Sequence, residues 1–146
     1  MSLLELPAVR VFAFWYLILA LKMLVLITLI SRARMRAGNF VSPEDYAMAG
    51  REKPLAAVPD ESIERLRRAL ANDVENILPF FGIGLIYALS GPSLTWARVL
   101  LAGFAVARII HTVAYVRGQQ PHRSLAFIIG SVCLWWMLLI ALWSVL

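Results

Sequence analysis

Six polar residues recur at helical spacing in an otherwise apolar chain. Arg68, Asn72 and Glu75 stand at i, i+4 and i+7, and Arg108, His111 and Tyr115 at i, i+3 and i+7. Each set falls on one helix face. Arg123 and Ser124 follow in the first turn of a later apolar segment. Paired or forked contacts from arginine suit carboxylates, because the planar guanidinium meets both oxygens. Glu75 and Asn72 suit an ammonium or an amide. A small ligand carrying two carboxylates, one ammonium and two amides matches this mixture. A structural use competes with it for two members. Residues 76–146 hold no acid, so Arg108 needs a carboxylate from the first half of the chain, and Glu75 is the expected partner. That pair alone would not require Asn72, His111, Tyr115, Arg123 and Arg68.

The composition says what must position these groups. The chain has 146 residues, is 61% hydrophobic and only 16% charged, with a mean hydropathy of +0.76. Soluble domains run about 45–50% apolar and about 25% charged, so a soluble domain and a disordered chain are both excluded. An all-α integral membrane protein remains: a four-transmembrane-helix bundle forming a single domain. The net charge is +5, which on a membrane protein reads as cytoplasmic Lys and Arg. No nucleic-acid recognition motif accompanies it. Cys133 is the lone cysteine, an inert thiol that allows neither an intramolecular disulfide nor a cysteine-based metal site. No metal is expected.

Four helices are expected at about 11–31, 60–89, 94–116 and 121–146, with a loop at about 32–59. The first is long enough to span ~30 Å of hydrocarbon. It exceeds a signal-peptide core and lacks a small-x-small cleavage site, so it reads as a mature helix. Ser42-Pro43-Glu44-Asp45 reads as the start of a short helix inside the loop, with Ser as N-cap and Pro at the first turn. Pro43, Pro54 and Pro59 act as breakers. The second helix changes character, charged over 61–76 and apolar over 77–89. Pro79 should kink it, while Gly82 and Gly84 should let a neighbour approach. The fourth runs without charge from Ser124 to its end.

Arg32, Arg34, Arg36, Arg51, Lys53, Arg65, Arg67 and Arg68 lie on the side of the long loop, joined by Arg117 and Arg123. The turn at 90–93 has no cation, which places the loop in the cytoplasm and both termini opposite. The membrane would be of endoplasmic-reticulum type in a eukaryote and the inner membrane in a bacterium. Arg98 should sit at the far interface, and Trp135, Trp136 and Trp143 should face lipid. Lys22 could line the bundle or snorkel.

The run at residues 64–80, E-R-L-R-R-A-L-A-N-D-V-E-N-I-L-P-F, resembles the MAPEG family, membrane-associated proteins of eicosanoid and glutathione metabolism. The match continues through 81–92, through A-R-I-I-H-T-V-A-Y at 107–115 and through P-H-R-S at 121–124. The F-V-S-P-E-D run at 40–45 is similar to the family's F-A-N-P-E-D. The resemblance implies a homotrimer with glutathione as cosubstrate, bound between subunits near the cytoplasmic side. By motif position Arg68, Asn72, Glu75, Arg108, His111, Tyr115, Arg123 and Ser124 would form the glutathione site, with Arg34 reaching in from a neighbour. Arg123, helped by Ser124, would stabilise the thiolate, and Asp45 matches an acid implicated in the prostaglandin branch.

Leu70, Ala71 and Phe127 depart from the prostaglandin branch, which has a His, an Arg and an aromatic hydroxyl there; Ser124 resembles that branch. The run at 82–92 looks more like the glutathione transferases. The implied activity is therefore a membrane-bound transferase joining the glutathione thiolate to hydrophobic electrophiles, with reduction of lipid hydroperoxides beside it. A prostaglandin E synthase-type isomerase is the near alternative. A small transporter or a non-catalytic scaffold is the alternative of another class. A free thiol of pKa about 8.5 is only a few per cent ionised at neutral pH, so a nearby guanidinium has work to do.

Overall fold

The computed structural model describes residues 2–52 and 60–146; Lys53, Pro54 and Pro59 lie outside the described residues. A single 3-10 turn at Leu3–Glu5 leads into α1, Pro7–Ala37. A short α2, Pro43–Met48, follows, then α3, Glu61–Leu89, α4, Leu94–Arg117, and α5, His122–Val145. Four of these are long and apolar enough to cross a membrane. The chain is a four-span, all-helical membrane protein, as its composition requires.

Local chemistry explains the boundaries. Ser42 caps α2 through a hydrogen bond from the Asp45 amide at 3.3 Å, with Pro43 in the first turn. Asp60 caps α3, accepting from the Ser62 and Ile63 amides. The Ser62 hydroxyl donates to the same carboxylate, and these bonds hold it below the usual aspartate range. Gly38 and Gly118 end α1 and α4 in the left-handed region, at φ 62° and 67°, where a side chain is disfavoured. The α1 helix continues past the expected residue 31 to Ala37. Residues 32–37 hold no Gly or Pro, so the helix leaves the apolar layer intact and carries Arg32, Arg34 and Arg36 with it. Pro79 lies inside an unbroken α3; its missing N–H takes the helical partner from the Glu75 carbonyl.

The spans pack as a diamond. α3 and α4 meet along the short diagonal, and α1 and α5 each contact both of them. Among the described elements α1 and α5 do not touch each other. α4 is the most enclosed span, half of it buried. The core runs along this diagonal, with Phe80 stacked on Phe104 at 4.3 Å and 7°, and Leu19, Ile77, Leu101 and Met137 around them. Gly84 lets the Phe12 ring approach, since a Cβ there would meet it at 3.0 Å. Gly82 faces open space and serves no such contact. Trp135, Trp136 and Trp143 are exposed, as lipid-facing aromatics should be.

Candidate functional site

The buried charges form one network, and its acid is Asp73. Asp73 is fully buried, and Arg108 is 1% exposed. Arg108 Nη2 donates to Asp73 Oδ1 at 3.0 Å. Lys22 Nζ meets Asp73 Oδ2 at 2.8 Å and donates to Thr112 Oγ1 at 2.7 Å. The Thr112 hydroxyl lies 3.0 Å from the same carboxylate. One acid from α3 thus joins a cation from α1 and another from α4.

This corrects the expected Glu75–Arg108 pair. At ~100° per residue, Asp73 lies ~140° around α3 from Arg68, whereas Glu75 lies within ~20° of it. Asp73 falls in line with the buried Ala69, Ile77 and Phe80. Glu75 is exposed on the opposite side. Lys22 likewise lines the bundle, between the buried Leu19 and Leu26 of α1.

Above this network, at the end of the bundle where α4 turns into α5, several expected site residues come together. The Arg123 guanidinium lies 4.9 Å from the centre of the Tyr115 ring, a cation–π geometry. Tyr115 and His111 are 5.8 Å apart between ring centres, and Tyr115 also lies beside Arg68. With the Gln120 amide oxygen turned toward Arg123, it accepts from Arg123 Nε at 3.1 Å while its NH2 donates to Ser124 Oγ at 3.0 Å. The left-handed Gly118 ends α4 and opens the short turn that leads to Arg123. Arg123 is half-buried and Ser124 exposed. Gln120 was not singled out in the sequence; its place in a turn gave no signal.

Arg68 donates to Glu61 Oε1 at 2.7 Å, an exposed pair that reaches seven residues back along α3. Such a pair is worth little and is easily exchanged for a ligand carboxylate. Asn72 is half-buried and its Oδ1 accepts from Arg108 Nη2 at 2.6 Å. Arg68, Asn72 and Glu75 share one face of α3, and Arg68 brings the outer end of that face beside Tyr115.

Arg34 and Asp45 are not in this cluster. They line a separate cavity of about 370 Å³ between the end of α1 and α2, with Met35, Phe40, Val41 and Met48. Arg34 belongs to α1 and Arg123 to α5, the two spans that do not touch within this chain.

Cys133 is half-buried, 3.1 Å from where a Cβ on Gly103 would stand. It lies nine residues beyond Ser124, ~14 Å along the helix. If the reacting thiol is a cosubstrate's, as the sequence resemblance implies, Cys133→Ser should keep full turnover in purified protein. Loss of turnover in a folded variant would make Cys133 the reacting thiol.

Comparison with known proteins places this architecture. The MAPEG family model matches residues 12–143. The chain is 40% identical to microsomal glutathione S-transferase 1 of Rattus norvegicus over 132 residues, 88% of this chain and 85% of that protein. It is 43% identical to the Sus scrofa protein of the same name over 122 residues, 82% of this chain and 79% of that one. It is 33% identical to prostaglandin E synthase of Homo sapiens over 141 residues, 94% of this chain and 90% of that protein. The chain belongs to the MAPEG family.

Proposed function

We propose that this chain is a membrane-bound glutathione transferase. It binds glutathione at the Arg68–Tyr115–Arg123 end of the bundle and joins the thiolate to hydrophobic electrophiles dissolved in the bilayer. The observation that carries the reading is the convergence of Arg123, Tyr115, His111 and Arg68 beside the Asn72–Glu75 face, in a chain 40–43% identical to proteins named as glutathione transferases. Arg68 and Asn72 receive carboxylate and carbonyl groups of the tripeptide, and Glu75 its ammonium. Arg123, at the N-terminal turn of α5, faces the sulfur, where the helix dipole also favours an anion. Ser124 adds a neutral donor.

The working unit is a homotrimer. Arg34 and Arg123 stand on spans at opposite corners of the diamond, so a site using both needs two subunits. The apolar cavity beside Arg34 and Asp45 then lies next to a neighbour's glutathione and receives the electrophile, a lipid hydroperoxide among them. The charged end bearing Arg34, Arg68 and Arg123 faces the cytoplasm, in an endoplasmic-reticulum-type or a bacterial inner membrane. The prostaglandin-type isomerase has Ser124 and the 33% relative in its favour, but Leu70, Ala71 and Phe127 remove three polar side chains from its pattern. Transport finds little support. The buried polar side chains, Asp73, Arg108, His111 and Thr112, cluster beside one another, and stacked Phe80 and Phe104 fill the core beyond them.

Purified protein should turn over glutathione with aryl halides, and to a lesser rate with lipid hydroperoxides, and leave an endoperoxide unisomerised. Isomerisation without conjugation would select the prostaglandin-type reading. Glutathione binding with no turnover of any electrophile would select a scaffold.

A further inference from the structure

Arg108 is only 1% exposed, yet it holds a residue on the ligand face. Its Nη2 donates to Asn72 Oδ1 at 2.6 Å and lies 3.4 Å from the Asn72 carbonyl. The same nitrogen is anchored on Asp73 at 3.0 Å, and Asp73 is anchored in turn by Lys22 and Thr112. A buried cation bonded to a side-chain oxygen fixes which end of an amide points which way. With Oδ1 drawn inward to Arg108, the Asn72 NH2 is directed outward, and no described residue accepts from it. The Asn76 amide donates to the Asn72 carbonyl at 2.8 Å, so the backbone at this point is braced as well.

We propose that Arg108 is a positioning residue: it does not contact glutathione, but clamps the Asn72 amide so that its NH2 is presented to a carbonyl or carboxylate of the tripeptide. The inference rests on the glutathione reading above. Lys22, Asp73 and Thr112 serve the same end one step removed, by fixing Arg108. Without the clamp the Asn72 amide is free to rotate, and half of its orientations present an oxygen to a ligand oxygen.

Glutathione binding to detergent-solubilised full-length protein, read by calorimetry beside a thermal unfolding curve, tests this. Arg108→Lys keeps a cation for Asp73, but its shorter stem follows the carboxylate and releases the neutral amide. It should unfold close to wild type and bind glutathione about tenfold more weakly, as should Asn72→Ala. The double variant should also lose about tenfold, because both changes remove one interaction. Asn72→Asp retains an acceptor for Arg108 and has no N–H to offer, so it should fold and lose at least as much affinity. A hundredfold loss in the double variant means that the two residues act separately, which overturns the proposal. Wild-type affinity in Arg108→Lys overturns it too, and if that variant fails to fold, wild-type affinity in Asn72→Asp does so. Wild-type protein that binds no glutathione sinks the transferase reading itself, and the proposal with it.

Discussion

Asp73→Ala should cost about 3–5 kcal/mol, enough to unfold the protein or keep it from accumulating, because it strands two buried cations. Lys22 and Arg108 both rest on this one carboxylate, at 2.8 and 3.0 Å, and no other described acid is buried. The partners should grade below it. Lys22→Met leaves a neutral Arg108–Asp73 pair and should be tolerated with a smaller loss. Glu75→Gln touches an exposed side chain and, in the absence of glutathione, should change stability by no more than about 0.5 kcal/mol. Thermal unfolding in detergent, with the four proteins side by side, gives the order. If Glu75→Gln proved as costly as Asp73→Ala, Arg108 would be paired with Glu75 after all and the buried network would be misassigned.

That correction shows where the sequence is legible. The absence of acids after residue 75 does force Arg108 to seek its partner in the first half of the chain. Choosing between two acids two residues apart needs the phase of the apolar stripe on α3. Ala69, Ile77 and Phe80 set that phase, and Asp73 lies in it. A lone acid in an apolar stripe is easily mistaken for a solvated one, and its cations on α1 and α4 are visible only once the helices pack. The spans themselves were readable because hydropathy and Gly or Pro punctuation agree. The overrun of α1 to Ala37 was not, since six helix-compatible residues with three arginines resemble a polar loop. The α3 and α4 members of the candidate site were legible from i, i+3, i+4 and i+7 spacing, and Arg123 and Ser124 from their place in the first turn of α5. The Gln120 bridge depends on the turn conformation, and the Arg34–Asp45 cavity on the path of α2, which periodicity does not encode.

In the proposed transferase the chemistry rests on Arg123. Lowering the thiol pKa by about two units takes ~2.7 kcal/mol of preferential thiolate stabilisation. A permanent charge in the first turn of α5 is the group suited to supply most of it, since hydrogen bonds involving an ion are about twice as strong as neutral ones. The Arg123 side chain is already held in place, its guanidinium 4.9 Å over the Tyr115 ring and its Nε 3.1 Å from the Gln120 amide oxygen. The site therefore spends little on ordering it when glutathione arrives. Ser124 is exposed and its Oγ accepts from the same Gln120 amide, so its O–H is free to donate to the sulfur, but only as a neutral hydrogen bond. Arg123→Ala should accordingly lose the ultraviolet thiolate absorbance seen on adding glutathione, with conjugation falling about a hundredfold. Arg123→Lys should recover only part of both, because the ammonium restores the charge but neither the guanidinium's contact over the Tyr115 ring nor its fork. Tyr115→Phe keeps the ring beneath the guanidinium and should hold most of the thiolate signal. Ser124→Ala should lose less than tenfold. Full thiolate absorbance in Arg123→Ala together with its loss in Ser124→Ala would make the hydroxyl the activating group and end this account.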